Sequence, residues 1–312
     1  MNMKVLCVNT PRFEDEVMES FKKDGIDIQR INVEDVDQAT IDKEAIDMII
    51  GTSYVSKINP MEFRNLRAVQ LSSAGFDMID LAQLKQRGIS VSNASGIYSI
   101  PIAEWVVGKV LEVYKDSRTL YQHLEKRQWV KSREMQELSD KKAIVFGTGG
   151  IGLEIAKRLN PFVIKVDGVN SNGRHVDVFY QCYSLDSVYS VLKNYDIIIF
   201  ALPSNSATIR YVNSTFLSKC KESAVLVNVG RGTLIDEGAL IDSLNEGKFF
   251  SVVLDVTQKE PLPSDSELYG FQRVIISPHN SFGSHKISQR LKELFVENIY
   301  RSYRKEPLIN QL

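Results

Sequence analysis

Short apolar runs rich in β-branched residues alternate along the chain with segments whose apolar positions recur at helical spacing. The first series reads KVLCV, FEDEVMESFKKDG, IDIQRINV, DMIIGT and RAVQLSS. The second begins near Lys141 with KKAIVFG and runs through FVIKVDGVN, DIIIFAL, AVLVNVG, FFSVVLDV and RVIISPH. Strands this uniformly apolar are covered on both faces, and their alternation with helices predicts parallel sheets joined by crossover helices. Between the two series, Ile102, Trp105, Val106, Val110, Val113 and Tyr114 keep a helical spacing with Pro101 in the first turn. That spacing predicts one long helix over 99–125. Another amphipathic helix is predicted over 285–303, where Ile287, Leu291, Leu294, Phe295, Val296 and Ile299 form the apolar face that packs back on the first series.

A chain of 312 residues is long enough for two compact domains, each with its own core. The chain would cross between them near Gly96 and near Gly283, and both glycines are candidate hinges. Thirty-eight basic residues nearly balance 39 acidic ones, so no global field draws the protein to nucleic acid or to an anionic membrane. The expected partners are therefore small molecules, with no nucleic acid and no membrane. Cys7, Cys182 and Cys220 are odd in number and far apart, which argues against a disulfide framework or a metal knuckle and for a reducing, cytoplasmic setting. The opening MNMKVLCVNT is too short an apolar run for a secretory or membrane-spanning segment.

Chemistry enters with Gly147-Thr148-Gly149-Gly150-Ile151-Gly152, set between the strand KKAIVFG and the helical LEIAKRL. That context is the one a dinucleotide fingerprint requires. Gly147 would permit the tight turn, Gly149 would let backbone approach a pyrophosphate, and Gly152 would let helix pack on strand. The helix N-terminus supplies N–H donors and positive dipole. No Lys-Ser/Thr pair follows, which excludes a phosphate-binding P-loop.

Three further loops each follow an apolar strand, the position at which open parallel sheets bind ligands. They are Asn228-Val229-Gly230-Arg231-Gly232, the stretch from Asp255 through Glu260-Pro261, and Ser277-Pro278-His279-Asn280. An arginine between glycines is placed to fork onto a carboxylate, and a histidine on such a loop can donate a proton to a keto oxygen while a nearby carboxylate holds its tautomer. Taken singly, each has a plainer explanation: Arg231 as a surface cap, Glu260 as a solvated loop charge, His279 as a hydrogen-bonded structural histidine.

In this order, together with Ser72-Ser73-Ala74-Gly75-Phe76-Asp77, Asn93 through Ala103-Glu104, and Ala201-Leu202-Pro203, these motifs resemble the D-isomer-specific 2-hydroxyacid dehydrogenase family over most of the chain. The resemblance implies an α/β fold of two Rossmann-like domains with parallel sheets: a flavodoxin-like substrate-binding domain from 1–96 plus 286–312, and a doubly wound dinucleotide-binding domain over 97–285. It implies hydride transfer between NAD(P)H and a small 2-keto acid to give a D-2-hydroxy acid. Arg231 would bind the substrate carboxylate and keto oxygen, His279 would be the acid in reduction and the base in oxidation, and Glu260 would orient and charge His279. Backbone around Ser73, Ala74 and Gly75 would clamp the substrate carboxylate. Gly147 to Gly152, including Gly150 and Ile151, with Leu202, Pro203 and Val229, would hold the coenzyme, and Asp255 would lie near the nicotinamide carboxamide. Tyr54, Tyr98 and Phe282 sit on the loops that would shape the substrate pocket. Family members pair through their coenzyme domains, so a homodimer is expected, with Trp105 and Val106 of the long helix as candidate contacts.

At the end of the second coenzyme-domain strand, where NAD-selective relatives carry an acid, this chain has Asn170. Asn170 cannot repel a 2′-phosphate, and Ser171 and Arg174 on the same loop can bind one, so NADP is favoured over NAD as cofactor. Asp167 falls inside the strand and is too early for that position. Tyr189 and Lys193 spell the Y-x-x-x-K of short-chain dehydrogenases, but in a segment that reads as a crossover helix. His123, His175 and His285 follow no comparable strand and read as structural or exposed. The alternative from another class is a dehydrogenase-like NAD(H)-sensing corepressor without significant turnover, which differs in lacking turnover with any 2-keto acid.

Overall fold

The computed structural model describes every residue except Met1, Gln38, Ser53, Val55 and Ser56, and the chain divides into two compact units, Met1–Tyr98 with Ser284–Leu312, and Ser99–Gly283. In the first unit, strands β1 (Met3–Val8), β2 (Ile26–Ile31), β3 (Met48–Ile50), β4 (Ala68–Gln70) and β5 (Ser90–Ser92) alternate with helices α1 (Asp15–Lys23) and α2 (Leu81–Gln86). Among the described residues they form one parallel sheet of order β2-β1-β3-β4-β5, the flavodoxin-like winding, whose order reverses between β1 and β3.

The second unit begins with α3 (Ser99–Tyr114) and α4 (Ser117–Glu125). There β6 (Lys142–Phe146), α5 (Gly150–Leu159), β7 (Lys165–Asn170), β8 (Cys182–Ser184), β9 (Ile197–Phe200), α6 (Ser214–Lys219), β10 (Val225–Asn228), α7 (Glu237–Asn245), β11 (Ser251–Leu254) and β12 (Val274–Ile276) follow in turn. The sheet order is β12-β11-β10-β9-β6-β7-β8, all parallel. Counted from β6, that is the 3-2-1-4-5-6 winding of dinucleotide-binding folds with one strand added. The strands are buried throughout their apolar runs, and a cluster centred on Phe146, Phe200 and Phe216 fills one face. The chain returns to the first unit in α8 (Ile287–Arg304), whose Leu291, Leu294, Phe295 and Ile299 join the core beneath β1 and β3. Each such side chain contributes about 1.5–3 kcal/mol on burial, so packing, more than helix propensity, holds α8 in place.

Two expectations are corrected. The helix over 99–125 is broken: Asp116 takes the left-handed conformation at φ 52°, which an aspartate tolerates, and the Tyr114 carbonyl accepts from Gln136 N–H at 2.8 Å instead of from a further helical turn. Continuous periodicity on both sides hid the interruption. The segment holding Tyr189 and Lys193 is not a crossover helix but two short 3-10 turns, Ser187–Ser190 and Leu192–Asn194. Tyr189 packs edge-on against Tyr211 and Phe216, a place in the core rather than at a reacting carbonyl.

Candidate active site

Strand β6 delivers the glycine loop. Gly147 lies at φ 106°, and a Cβ on Gly152 would fall 1.8 Å from the Gly147 carbonyl oxygen, so α5 reaches its seat on β6 only without a side chain there. Among the described residues nothing lies within 4 Å of where a Cβ on Gly149 would stand. Helix α5 starts at Gly150, with Gly149 extended as its N-cap and no side chain capping it. The first turn of α5 supplies the N–H donors that a pyrophosphate takes, the bare glycines let it approach, and the residues present fit a dinucleotide.

Strand β7 ends at Asn170, which is buried and whose carboxamide organises the loop that follows. Its Nδ2 donates to the Arg174 carbonyl at 2.9 Å and to Thr148 Oγ1 at 3.3 Å, while its Oδ1 accepts from Asn172 N–H. Ser171 and Arg174 are exposed on that loop. Asp167, inside the strand, is fully buried between Lys165 Nζ at 2.8 Å and the Tyr195 hydroxyl at 2.5 Å.

Adjacent strands β10, β11 and β12 carry the other three loops, so their carboxyl ends lie side by side. Asn228 at the end of β10 shapes the first, accepting from Gly230 N–H and donating to the Arg231 carbonyl at 3.0 Å. Arg231 is half-buried, and one of its Nη1 contacts is the Gly230 carbonyl at 3.0 Å. A Cβ on Gly232 would overlap the Thr257 carbonyl oxygen, 1.8 Å away, so the arginine loop rests directly on the loop carrying Glu260. Leu202, Pro203 and Val229 line neighbouring strand ends.

The structure brings His279 and Glu260 together. Glu260 Oε2 lies 2.8 Å from His279 Nδ1, and its other oxygen accepts the Thr257 N–H at 3.2 Å. A carboxylate held at one oxygen and paired at the other fixes the ring so that Nδ1 carries a proton, leaving Nε2 for chemistry. His279 sits at φ 50°, a turn imposed by Asp255. The Asp255 carbonyl accepts His279 N–H, and its buried carboxylate accepts from the Ser277 hydroxyl and from Asn280 and Ser281 N–H. Sequence reasoning did not single out Thr257, Ser277 or Ser281; a buried acid at a strand end facing a Ser-Pro-His-Asn-Ser run was the available signal. A cavity of about 610 Å³ adjoins the pair, lined partly by Leu262, Tyr269 and Ile276.

In the first unit, loop 72–76 is wired in a way that frees its amides. The Ser73 carbonyl accepts Ala94 N–H, the Ala74 carbonyl accepts Asn93 Nδ2 at 2.7 Å, and the Gly75 carbonyl accepts Ser73 Oγ at 2.6 Å. Thr52 Oγ1 takes Ser73 N–H, and the Tyr98 hydroxyl donates to the Ser72 carbonyl. Among the described residues Ala74 and Gly75 N–H have no acceptor, the signature of an anion cradle. Tyr54, by contrast, is buried in the core of this unit, and its hydroxyl has no partner among the described residues. Phe282 is exposed beside His279, ring centroids 6.2 Å apart. The rings of His123 and His175 pair with Gln128 and Asp177, close in sequence, and His285 is exposed. Among the described residues no cluster of His, Cys, Asp and Glu could hold a metal ion, and no helix is long and apolar enough to cross a membrane.

Fold and glycine loop together are those of a dinucleotide-binding protein. The sequence model of the D-isomer specific 2-hydroxyacid dehydrogenase NAD binding domain matches residues 107–281, and the chain belongs to that family. It is 31% identical over 241 residues to a glyoxylate reductase of Thermofilum pendens, covering 75% of this chain and 71% of that protein. A glyoxylate/hydroxypyruvate reductase of Arabidopsis thaliana is 28% identical over 249 residues, covering 79% and 76%. The crystal structure of a D-isomer specific 2-hydroxyacid dehydrogenase family protein from Aeromonas salmonicida superposes with a TM-score of 0.84 at 28% identity, covering 100% of this chain and 99% of that one. The protein is thus an NAD(P)-dependent oxidoreductase of 2-keto and 2-hydroxy acids.

Proposed function

We propose that the protein reduces a small 2-keto acid to the D-2-hydroxy acid, with glyoxylate and hydroxypyruvate as first candidates because the relatives above are named for them. The observation that carries this reading is the 2.8 Å pairing of His279 with Glu260. A nicotinamide coenzyme supplies the hydride when bound at the glycine loop. Arg231 binds the substrate carboxylate and keto oxygen, and the Ala74 and Gly75 amides hold the carboxylate. As charge develops on the keto oxygen, the guanidinium of Arg231 and the imidazolium of His279 stabilise it, and His279 Nε2 delivers the proton. Glu260 keeps the ring oriented through its contact with Nδ1. Asp255 sets the turn that presents the ring and lies near the nicotinamide carboxamide in this reading. The domains act as a substrate-binding unit of 1–96 plus 286–312 and a coenzyme unit of 97–285.

NADPH is the preferred coenzyme in this reading. Asp167 is buried and engaged, leaving no acid at the end of β7, while Ser171 and Arg174 are exposed on the loop that Asn170 holds. The protein acts as a homodimer in a reducing, cytoplasmic compartment, which accords with three free cysteines, two of them buried with thiols pushed up to about 12 by burial. A spectrophotometric panel of glyoxylate, hydroxypyruvate, pyruvate and branched 2-keto acids, each with NADH and NADPH, tests the reading. Turnover is expected with at least one acid, and its absence across the panel would overturn the proposal.

A further inference from the structure

Residues 308–312 follow α8 and lie along β5, where Leu312 N–H donates to the Val91 carbonyl at 2.8 Å. They are fastened from below by Asn298, a fully buried polar residue on α8. Its Oδ1 accepts Ile309 N–H at 2.8 Å, and its Nδ2 donates to the Ile309 carbonyl at 3.1 Å. A buried asparagine is costly unless satisfied, and here it is satisfied by Gln70, by Ser92 and by both backbone groups of Ile309. The next residue, Asn310, adopts φ 57°, which turns its carboxamide towards the 93–95 turn. Its Nδ2 donates to the Ser95 carbonyl at 2.9 Å and the Asn93 carbonyl at 3.4 Å, and Asn93 N–H returns a bond to the Asn310 carbonyl. Asn93 in turn spends its own Nδ2 on the Ala74 carbonyl at 2.7 Å.

A trans peptide points its C=O and the following N–H in opposite directions. Whatever fixes the Ala74 carbonyl therefore aims Gly75 N–H, and the bond from Ala94 N–H to the Ser73 carbonyl aims Ala74 N–H in the same way. We propose that residues 308–312 are a positioning element of the substrate site: through Asn310 and Asn93 they set the direction of the two amides that hold the substrate carboxylate. This rests on the reading of those amides as the carboxylate clamp. Asn310 and Asn93 are positioning residues and act through the clamp, so their loss weakens recognition of the carboxylate without touching the coenzyme.

The test uses two variants of the full chain. Asn310→Gly keeps the left-handed backbone and removes only the carboxamide. Asn93→Asp keeps the acceptor for Ser95 N–H and removes the donor to Ala74, so it serves if the first variant folds poorly. With NADPH fixed at saturation, KM for the preferred 2-keto acid should rise about tenfold in each, with kcat within about threefold and the Kd for NADPH unchanged. The preference for glyoxylate over its uncharged methyl ester should fall in parallel, a change that general loosening would not produce. Hydrogen exchange of residues 93 and 94, whose N–H groups bond to the Asn310 and Ser73 carbonyls, should quicken when measured without substrate. An unchanged KM, an equal loss for acid and ester, or unchanged exchange in both variants overturns the proposal. Should the wild-type protein turn over no 2-keto acid, the functional reading falls, and the exchange measurement alone still decides whether residues 308–312 hold this loop.

Discussion

The smallest unit of chemistry here is one ring and one carboxylate. His279 is held at Nδ1 by Glu260, and Glu260 is itself steadied by Thr257 N–H, so neither side chain is left to find its geometry when substrate arrives. His279→Ala should lower turnover about 100 to 10,000-fold, the range a positioned general acid contributes, with coenzyme affinity intact by fluorescence titration. Near-wild-type turnover in that variant would remove His279 from the mechanism. Glu260→Gln retains an oxygen for Thr257 but loses the carboxylate that holds the ring at Nδ1, so its kcat should fall by less than that of the alanine variant. Arg231 makes a different demand, because a guanidinium can engage a carboxylate through two parallel donors and an ammonium cannot. Arg231→Lys should therefore impair both KM and kcat. If each stays within about twofold, roughly 0.4 kcal/mol, the assignment of Arg231 is wrong.

At the scale of single elements, the strand-end loops separate glycines that build the fold from one that makes room. Gly152→Ala places a methyl group 1.8 Å from the Gly147 carbonyl and should destabilise the second unit, visible as a lower Tm even without ligand. Gly149→Ala meets nothing within 4 Å among the described residues, so Tm should be preserved while coenzyme affinity drops. Equal Tm losses in the two variants would contradict this division. On the neighbouring loop, Arg174→Ala should weaken NADPH by about tenfold and leave NADH nearly unchanged, as measured by kcat/KM for each coenzyme. A wild-type preference of tenfold or more for NADH would sink the assignment of the Asn170 loop. The central strands were legible in the sequence because each is a nearly unbroken apolar run, and the glycine loop because it falls between one of those strands and a helix. The edge strands β5 and β8 were not. Each has only three residues, largely polar or half-buried, and their pairing is decided by neighbours that a local pattern does not contain. The His279–Glu260 pair was legible as two loops, whereas the Asp255 wiring and the grip of Asn298 and Asn310 were not, since they depend on residues far apart in sequence meeting through backbone groups.

For the whole molecule, the question is what covers its exposed apolar side chains. Trp105 and Val106 were the expected contacts for a second copy, yet Val106 is fully buried and Trp105 is half-covered with Lys109 over its ring, because α3 packs on α5 within the same unit. The exposed apolar residues lie further on. Tyr121 and Leu124 of α4, then Trp129, Val130 and Met135, all stand open to solvent within fifteen residues of chain, Trp129 at 98%. One such side chain is ordinary on a surface, but five so close along the chain, a bare tryptophan among them, make this segment the expected contact. A second copy is the occupant we expect: under a twofold axis one strip covers its equivalent, so a single sequence feature is buried twice. Light scattering at micromolar concentration should then give about twice the chain mass of 35.3 kDa. Trp129→Asp paired with Leu124→Asp should shift the protein towards monomer while leaving the His279–Glu260 pair unaltered, because a charge in a desolvated apolar contact has no partner there. A wild-type mass near that of one chain would refute the dimer, and a dimer that survives both substitutions would place the interface elsewhere.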